Sequence, residues 1–158
     1  MENVVRRTLW DEVDAARDER TDAVLMRHQD TKTWPLSAAI EAFLAEPKSA
    51  TLTTFRPDGS PHVVPVHFTW DSEARIARVM VAPDSRKVRN VIAAPGGRVA
   101  LCQVSGRGWI TLEGTATAST DPERVAEGKR RCIERYSRPT RGLVVIEIAV
   151  DRVMSRNI

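Results

Sequence analysis

Ser49-Ala-Thr-Leu-Thr-Thr-Phe55, Pro61-His-Val-Val-Pro-Val-His-Phe-Thr-Trp70 and Arg75-Ile-Ala-Arg-Val-Met-Val-Ala82 follow one another at short intervals, and their reading decides the fold. All three are rich in β-branched and aromatic residues, the composition of a pleated, half-buried surface. Between the first two lies Arg56-Pro57-Asp58-Gly59, where Pro is preset for the first corner and Gly accepts a positive φ, so a hairpin is expected. The polar turn Asp71-Ser72-Glu73-Ala74 leads into the third run, and an antiparallel meander is the economical arrangement. Pro65 removes a ladder donor from the middle of the second run, which calls for an edge, a bulge or backbone turned toward a ligand.

Pro83 ends the third run, Asp84 or Ser85 is a good N-cap, and Val88, Val91 and Ile92 recur at helical spacing until Pro95-Gly96-Gly97. A helix start carries unpaired N–H groups and partial positive charge, so Ser85, Arg86 and Lys87 there complete an anion site, with phosphate the expected ligand. A capped surface helix is the alternative. Basic residues in a first turn are, however, unfavourable unless an anion offsets them.

Working outward, Trp34-Pro35-Leu36 introduces a helix with Ser37 as its cap and Ile40, Phe43 and Leu44 as its buried face, placed to plug one end of a barrel. Arg98-Val-Ala-Leu-Cys-Gln-Val104 and Trp109-Ile-Thr-Leu-Glu-Gly-Thr-Ala-Thr-Ala118 form a second hairpin around Ser105-Gly-Arg-Gly108. Thr120-Asp121-Pro122-Glu123 reads as a capping box opening a helix to about Tyr136, with Val125, Cys132 and Ile133 on its apolar face. Leu143-Val-Val-Ile-Glu-Ile-Ala-Val150 is a last buried strand, and no clear element follows it. Residues 1–34 are expected to be a helical extension with a thin apolar stripe through Leu9, Val13 and Ala16, and residues 35–158 the folded domain. About six strands with helices inserted between some of them argue for a mainly β, antiparallel split barrel. No Gly-x-Gly-x-x-Gly follows a strand, which disfavours a Rossmann site.

Composition narrows the function classes. At 158 residues, 42% hydrophobic and 28% charged, the chain is one soluble domain with a real core. No run reaches the roughly 18 apolar residues of a membrane span, no secretion signal opens the chain, and a cytoplasmic location is expected. Cys102 and Cys132 lack a thiol or His partner at ligand spacing, so neither a disulfide framework nor a metal site is expected. The net charge of +3 is spread among acidic residues with no basic arm, which argues against nucleic-acid binding. Ser60, Ser85, Ser105, Cys102 and the three histidines form no nucleophile elbow or triad order. His62 and His67 point to opposite faces of a regular strand, and a hydrogen-bonded sheet residue is the ordinary reading of each.

Taken in order, Ser60-Pro-His-Val-Val-Pro-Val66, Asp84-Ser-Arg-Lys87 with Arg89-Asn90, and Gly108-Trp-Ile-Thr-Leu-Glu-Gly114 resemble the pyridoxamine-phosphate-oxidase-like split-barrel flavoproteins. Within them the chain is most similar to the branch that uses the deazaflavin coenzyme F420, and among these to the F420-dependent biliverdin reductases. The resemblance, over about residues 36–154, implies a homodimer with cofactor sites at the subunit interface. It implies hydride transfer from reduced F420 to a conjugated small-molecule acceptor, biliverdin or a related tetrapyrrole. It places His62, Val63, Val64, Pro65 and Val66 along the cofactor ring, Val81 near the ring or ribityl chain, Ser85, Arg86 and Lys87 at the phosphate, Arg89 and Asn90 toward the phosphate or tail, and Trp109 near the ring. Arg135, Arg138 and Arg141 are candidates for the acceptor's carboxylates, their alternative being a solvated helix end. The residues themselves do not separate F420 from FMN, and an FMN-dependent oxidoreductase or a non-catalytic F420- or haem-binding protein are the rival readings.

Overall fold

The computed structural model describes residues 29–31 and 34–158, and the expected helix through Leu9, Val13 and Ala16 lies outside them. Gln29–Thr31, within the expected helical extension, are instead a strand, β1. There follow α1 (Ala38–Ala45), β2 (Ala50–Phe55), β3 (Pro61–Val66), β4 (Thr69–Asp71), β5 (Ile76–Val81), α2 (Arg86–Ala93), β6 (Arg98–Ser105), β7 (Gly108–Ser119), α3 (Pro122–Tyr136) and β8 (Val144–Arg156). They form a mainly antiparallel split β-barrel built from one 8-stranded sheet in the order β3-β2-β6-β7-β8-β5-β4, with β1 also on β8. Two strands beyond the expected six are the short β1 and β4.

The expected meander is corrected by this order. Residues 61–70 are not one strand: they break at His67 and Phe68, so β3 pairs with β2 at one edge while β4 pairs with β5 at the other. A flat sheet of that order would hold its edge strands ~29 Å apart at ~4.8 Å per strand. Two intervening residues span at most ~11 Å. The sheet must therefore curl until its edges meet, with the split between β3 and β4. Phe68 is fully buried inside the seam, and the Tyr136 hydroxyl holds its backbone, accepting from Phe68 N at 3.2 Å and donating to Phe68 O at 2.9 Å. Pro65 sits on the edge strand, where a missing donor costs no ladder bond.

Side chains paired across neighbouring strands share a face. One such row, Val64–Leu52–Leu101–Leu112–Val153, crosses five strands and faces the core. The next rows face outward: Val63–Thr53–Ala100–Glu113–Arg152, Pro65–Thr51–Cys102–Thr111–Met154 and Val104–Trp109–Arg156. β8 runs past the expected Val150 to Arg156, because Asp151 is taken up in a bulge opposite Glu113 and Gly114 and pairing then resumes. At that bulge a Cβ on Gly114 would lie 2.0 Å from Ala149 O, so only glycine fits.

Each helix start is set locally. Ser37 Oγ accepts from Ile40 N, and Ile40, Phe43 and Leu44 are buried as expected. In α3 the cap is Asp121, not Thr120: its carboxylate accepts from the N–H groups of Glu123 and Arg124 ahead of Pro122 at the first position. Ile133, expected on the buried face, is half exposed, whereas Cys132 is buried. α3 lies on the outside of β4, β5 and β8, where Gly128 brings it close: a Cβ there would meet Met80 Sδ at 2.4 Å.

Charges bind this face as well. Arg78 donates to Asp71 and to Glu147, both at 3.0 Å; Arg131 of α3 reaches Asp71 at 2.7 Å, and Arg124 reaches Glu147 at 2.7 Å. Burial alone would raise the Asp71 pKa, but the Ala74 N–H, Arg78 and Arg131 outweigh it and hold the carboxyl below its ordinary value. A depressed carboxyl contributes stability above its unfolded pKa of about 3.9, and that contribution is lost as pH falls through the folded value. Arg78→Met leaves Asp71 and Glu147 with one arginine each, Arg131 and Arg124, and urea unfolding at pH 7 is expected to show a loss of about 1–3 kcal/mol. Asp71→Asn is expected to flatten the decline in wild-type stability that begins as pH drops below about 4.

Candidate functional site

A cleft of about 510 Å3 opens where the seam, the end of β5, the start of α2 and the end of α3 converge. That is within the ~300–1,000 Å3 of small-molecule and cofactor sites. One wall is Pro65, Val66 and His67; the floor is Val79, Met80, Val81 and Ala82; Cys132, Tyr136 and residues 138–141 form the other wall, and Lys87 completes the lining. The loop after α3 is tied to the floor by the bond from Leu143 N to Val81 O, 3.0 Å.

Of the residues expected at a cofactor, Pro65, Val66, Val81 and Lys87 line this cleft, together with Arg138 and Arg141 from the acceptor set. Ser85 caps α2 through its backbone, yet its side chain makes no capping bond, and its Oγ is buried with no hydrogen-bond partner among the described residues. Arg86 and Lys87 follow it in the first turn, and neither has a salt-bridge partner among the described residues. An unsatisfied buried hydroxyl, unpaired cations and free first-turn N–H groups fit a phosphate.

Other expected residues lie elsewhere. Asn90 is buried, and its Nδ2 donates to Thr54 Oγ1 at 2.9 Å, so it fastens α2 to β2. Val63 is 55% exposed on the outer face, while Val64 packs against the core and Arg89 is exposed. His62 is not among the residues lining the cleft and lies beside the cations Arg56, Arg86 and Lys87: Arg56 Nη2 is 3.3 Å from its Nδ1, and burial, Arg56, Lys87 and Arg86, in that order, lower its pKa. Trp109 pairs with Arg156, at the opposite end of β8 from the Val144 that pairs with Val81. Arg135 is turned away from the cleft, donating to the carbonyls of Leu44 and Glu46 at the end of α1 and to Gln103 Oε1.

Several cleft residues were not among those placed at the cofactor, His67, Met80 and Tyr136 among them. His67 lies 3.2 Å from Arg138 Nη2 and against the Tyr136 ring; burial, then Arg138 and Arg135, push its pKa down, so it is neutral at pH 7. Tyr136 could have been suspected as the sole tyrosine of the chain, placed at a helix end. The Cys132 thiol is pushed up by burial and is not a thiolate.

Comparison with known proteins follows this geometry. The family model described as pyridoxamine 5'-phosphate oxidase matches residues 36–157. An F420H(2)-dependent biliverdin reductase from Mycobacterium tuberculosis (strain CDC 1551 / Oshkosh) is 43% identical over 124 residues, covering 77% of this chain and 89% of that protein. Among solved structures, a conserved hypothetical protein from Mycobacterium tuberculosis matches with a TM-score of 0.63 at 23% identity, over 75% of this chain and 82% of the other. An F420 reductase matches with a TM-score of 0.60 at 23% identity, over 75% of this chain and 98% of the other. These two likenesses concern the fold.

The cation cluster has a measurable signature. By NMR, His62 is expected to titrate below 6.5, to move up in Lys87→Gln, and to move up when inorganic phosphate binds, because each change lowers the positive potential at its ring.

Proposed function

This chain belongs to the pyridoxamine 5'-phosphate oxidase family, and on that footing we propose that it is an F420-dependent oxidoreductase that reduces biliverdin or a related tetrapyrrole. The observation that carries the reading is the buried, partnerless Ser85 hydroxyl beside Arg86 and Lys87, with Lys87 entering the same cleft as Arg138 and Arg141. Ser85, Arg86, Lys87 and the first-turn N–H groups of α2 hold the cofactor phosphate, with His62 and Arg56 adding positive potential. Pro65, Val66 and Val81 supply the apolar flanks for a flat ring system. Reduced deazaflavin, when bound, supplies the hydride. The protein binds, orients and excludes water.

Arg138 and Arg141 take the acceptor's carboxylates, and Arg135 drops out of that set because it does not line the cleft and its guanidinium is turned toward the end of α1. His67, neutral between Arg138 and Tyr136, orients Arg138 and is no acid at pH 7. No further protein acid is assigned, and the proton comes from solvent.

The working unit is a homodimer. In one chain Trp109 and Val81 lie at opposite ends of β8, so Trp109 approaches a ring in such a cleft only across a subunit interface. The outer face of β3, β2, β6 and β7, with Val63, Thr53, Ala100, Cys102, Thr111 and Val104, is small and apolar enough to receive a second copy. No helix among the described residues is long and apolar enough to cross a membrane. A reducing cytoplasm suits Cys102 and Cys132, both free thiols.

Titration with F420 is expected to quench its fluorescence, and Lys87→Ala to weaken binding about ten- to a hundredfold, the loss of one charge-assisted hydrogen bond. FMN binding as tightly as F420 would move the assignment to a flavin enzyme. Binding of F420 with no change in the biliverdin absorption spectrum under reducing conditions would leave a storage protein. Sedimentation is expected to show a dimer that Val104→Asp, at a position 60% exposed in the single chain, converts to a folded monomer.

A further inference from the structure

On the other side of α3 from the cofactor cleft, a recess of about 280 Å3 is lined by Glu41, Leu44, Ala45, Thr69, Trp70, Ser72, Arg131, Glu134 and Arg135. Two of its lining residues carry buried polar atoms with no partner, Thr69 Oγ1 and Arg135 Nε. Thr69 is 3% exposed. The other nitrogens of Arg135 donate to Leu44 O, Glu46 O and Gln103 Oε1, and its guanidinium lies 4.3 Å from the Phe68 ring centre. No carboxylate among the described residues forms an ion pair with it. A largely desolvated guanidinium with no direct ion pair and an unsatisfied hydroxyl in the same lining are each costly to leave so.

The other charged side chains at the recess already have hydrogen-bond or ion-pair partners. Glu41 accepts from Trp70 Nε1 at 3.0 Å and from Ser72 Oγ at 2.6 Å, Glu134 pairs with Arg130, and Arg131 pairs with Asp71 and Glu127. What is left without a partner is one guanidinium N–H and one hydroxyl, next to the apolar surfaces of Leu44, Ala45 and Trp70. The volume is many times the ~10–15 Å3 that a single bound water requires.

We propose that this recess is a second ligand site, for a small carboxylate with a short apolar body, bound by Arg135 Nε–H and the Thr69 hydroxyl. The carboxylate neutralises Arg135, its two oxygens take the two donors, and its hydrocarbon part lies against Leu44, Ala45 and Trp70. The site is distinct from the cofactor cleft, and it is linked to it through the seam. Arg135 stacks on Phe68, and the next residue along α3, Tyr136, holds the Phe68 backbone and lines the cleft.

The probes are sodium propionate and sodium chloride, added to the full-length protein without F420 at matched ionic strength. Thermal denaturation is expected to show a saturable rise in melting temperature with propionate that chloride does not reproduce. Thr69→Val, a substitution of equal shape, is expected to weaken the propionate effect about ten- to a hundredfold while the protein stays folded. Arg135→Lys, which keeps the charge and removes Nε–H, is expected to do the same; because Arg135 also caps α1, the Thr69 variant decides the matter should the lysine variant unfold. Crystals soaked in propionate are expected to show its carboxylate on both atoms. Equal responses to chloride and propionate, an unchanged response in Thr69→Val, or a crystal in which water alone bridges Thr69 and Arg135 would each overturn the site.

Discussion

The chain passes from one edge of its sheet to the other within two residues, and most of the structure follows from that. His67 and Phe68 leave no slack, so β3 and β4 must come together and the sheet must close upon itself. Closure brings two unpaired strand edges side by side without pairing them, which would leave polar backbone exposed to a dry seam. Tyr136 resolves this by serving both backbone groups of Phe68, while Arg135 covers its ring. The same contacts fix the end of α3 against the seam, and the space left between seam, β5 and α3 is the cleft. The site is thus a by-product of how the barrel closes.

α3 is held by an unusual mixture of forces. Its buried surface is small, Gly128 and Cys132 being its buried residues, so burial of apolar area contributes little. Instead, Arg124 and Arg131 reach down to Glu147 and Asp71, which are already bridged by Arg78. Such a network recovers its desolvation cost only when every member is satisfied, and its geometry then permits one placement of the helix. A cleft wall needs that: apolar contacts alone would let α3 slide along β5, and the distance across the cleft would vary with it.

How much of this could be read in the residues depends on whether the signal was local. Hairpin turns, the Ser37 cap, the Pro122 start and the Ser85–Lys87 cluster are determined by neighbours in sequence, and each was legible. Pro65 was legible as an edge signal, but which edge was not, because the His67–Phe68 break carries no turn residue; Thr69 and Trp70 continue the β-branched and aromatic pattern. Asp151 hid the second half of β8, since a bulge interrupts the alternation by one residue. Arg135 misled for a different reason: an arginine at a helix end resembles a surface cation whether it faces solvent or, as here, the carbonyls of α1. Asn90 likewise matches a family position while its amide is committed to Thr54.

The distribution of charge carries the last step. Along α3 and the outer sheet, Arg78, Arg98, Arg124, Arg130 and Arg131 are each matched to carboxylates. Around the cleft, Lys87 and Arg141 have no ion-pair partner among the described residues, and Arg138 meets a histidine that burial and its arginine neighbours keep neutral. At physiological ionic strength charges more than ~8 Å apart are largely screened, so these groups act on what is inside the cleft and not on the molecule at large. Between them the walls are Val66, Val79, Met80 and Val81. A cleft that sets cations beside apolar walls suits a ligand that carries both a flat, uncharged ring system and anionic groups.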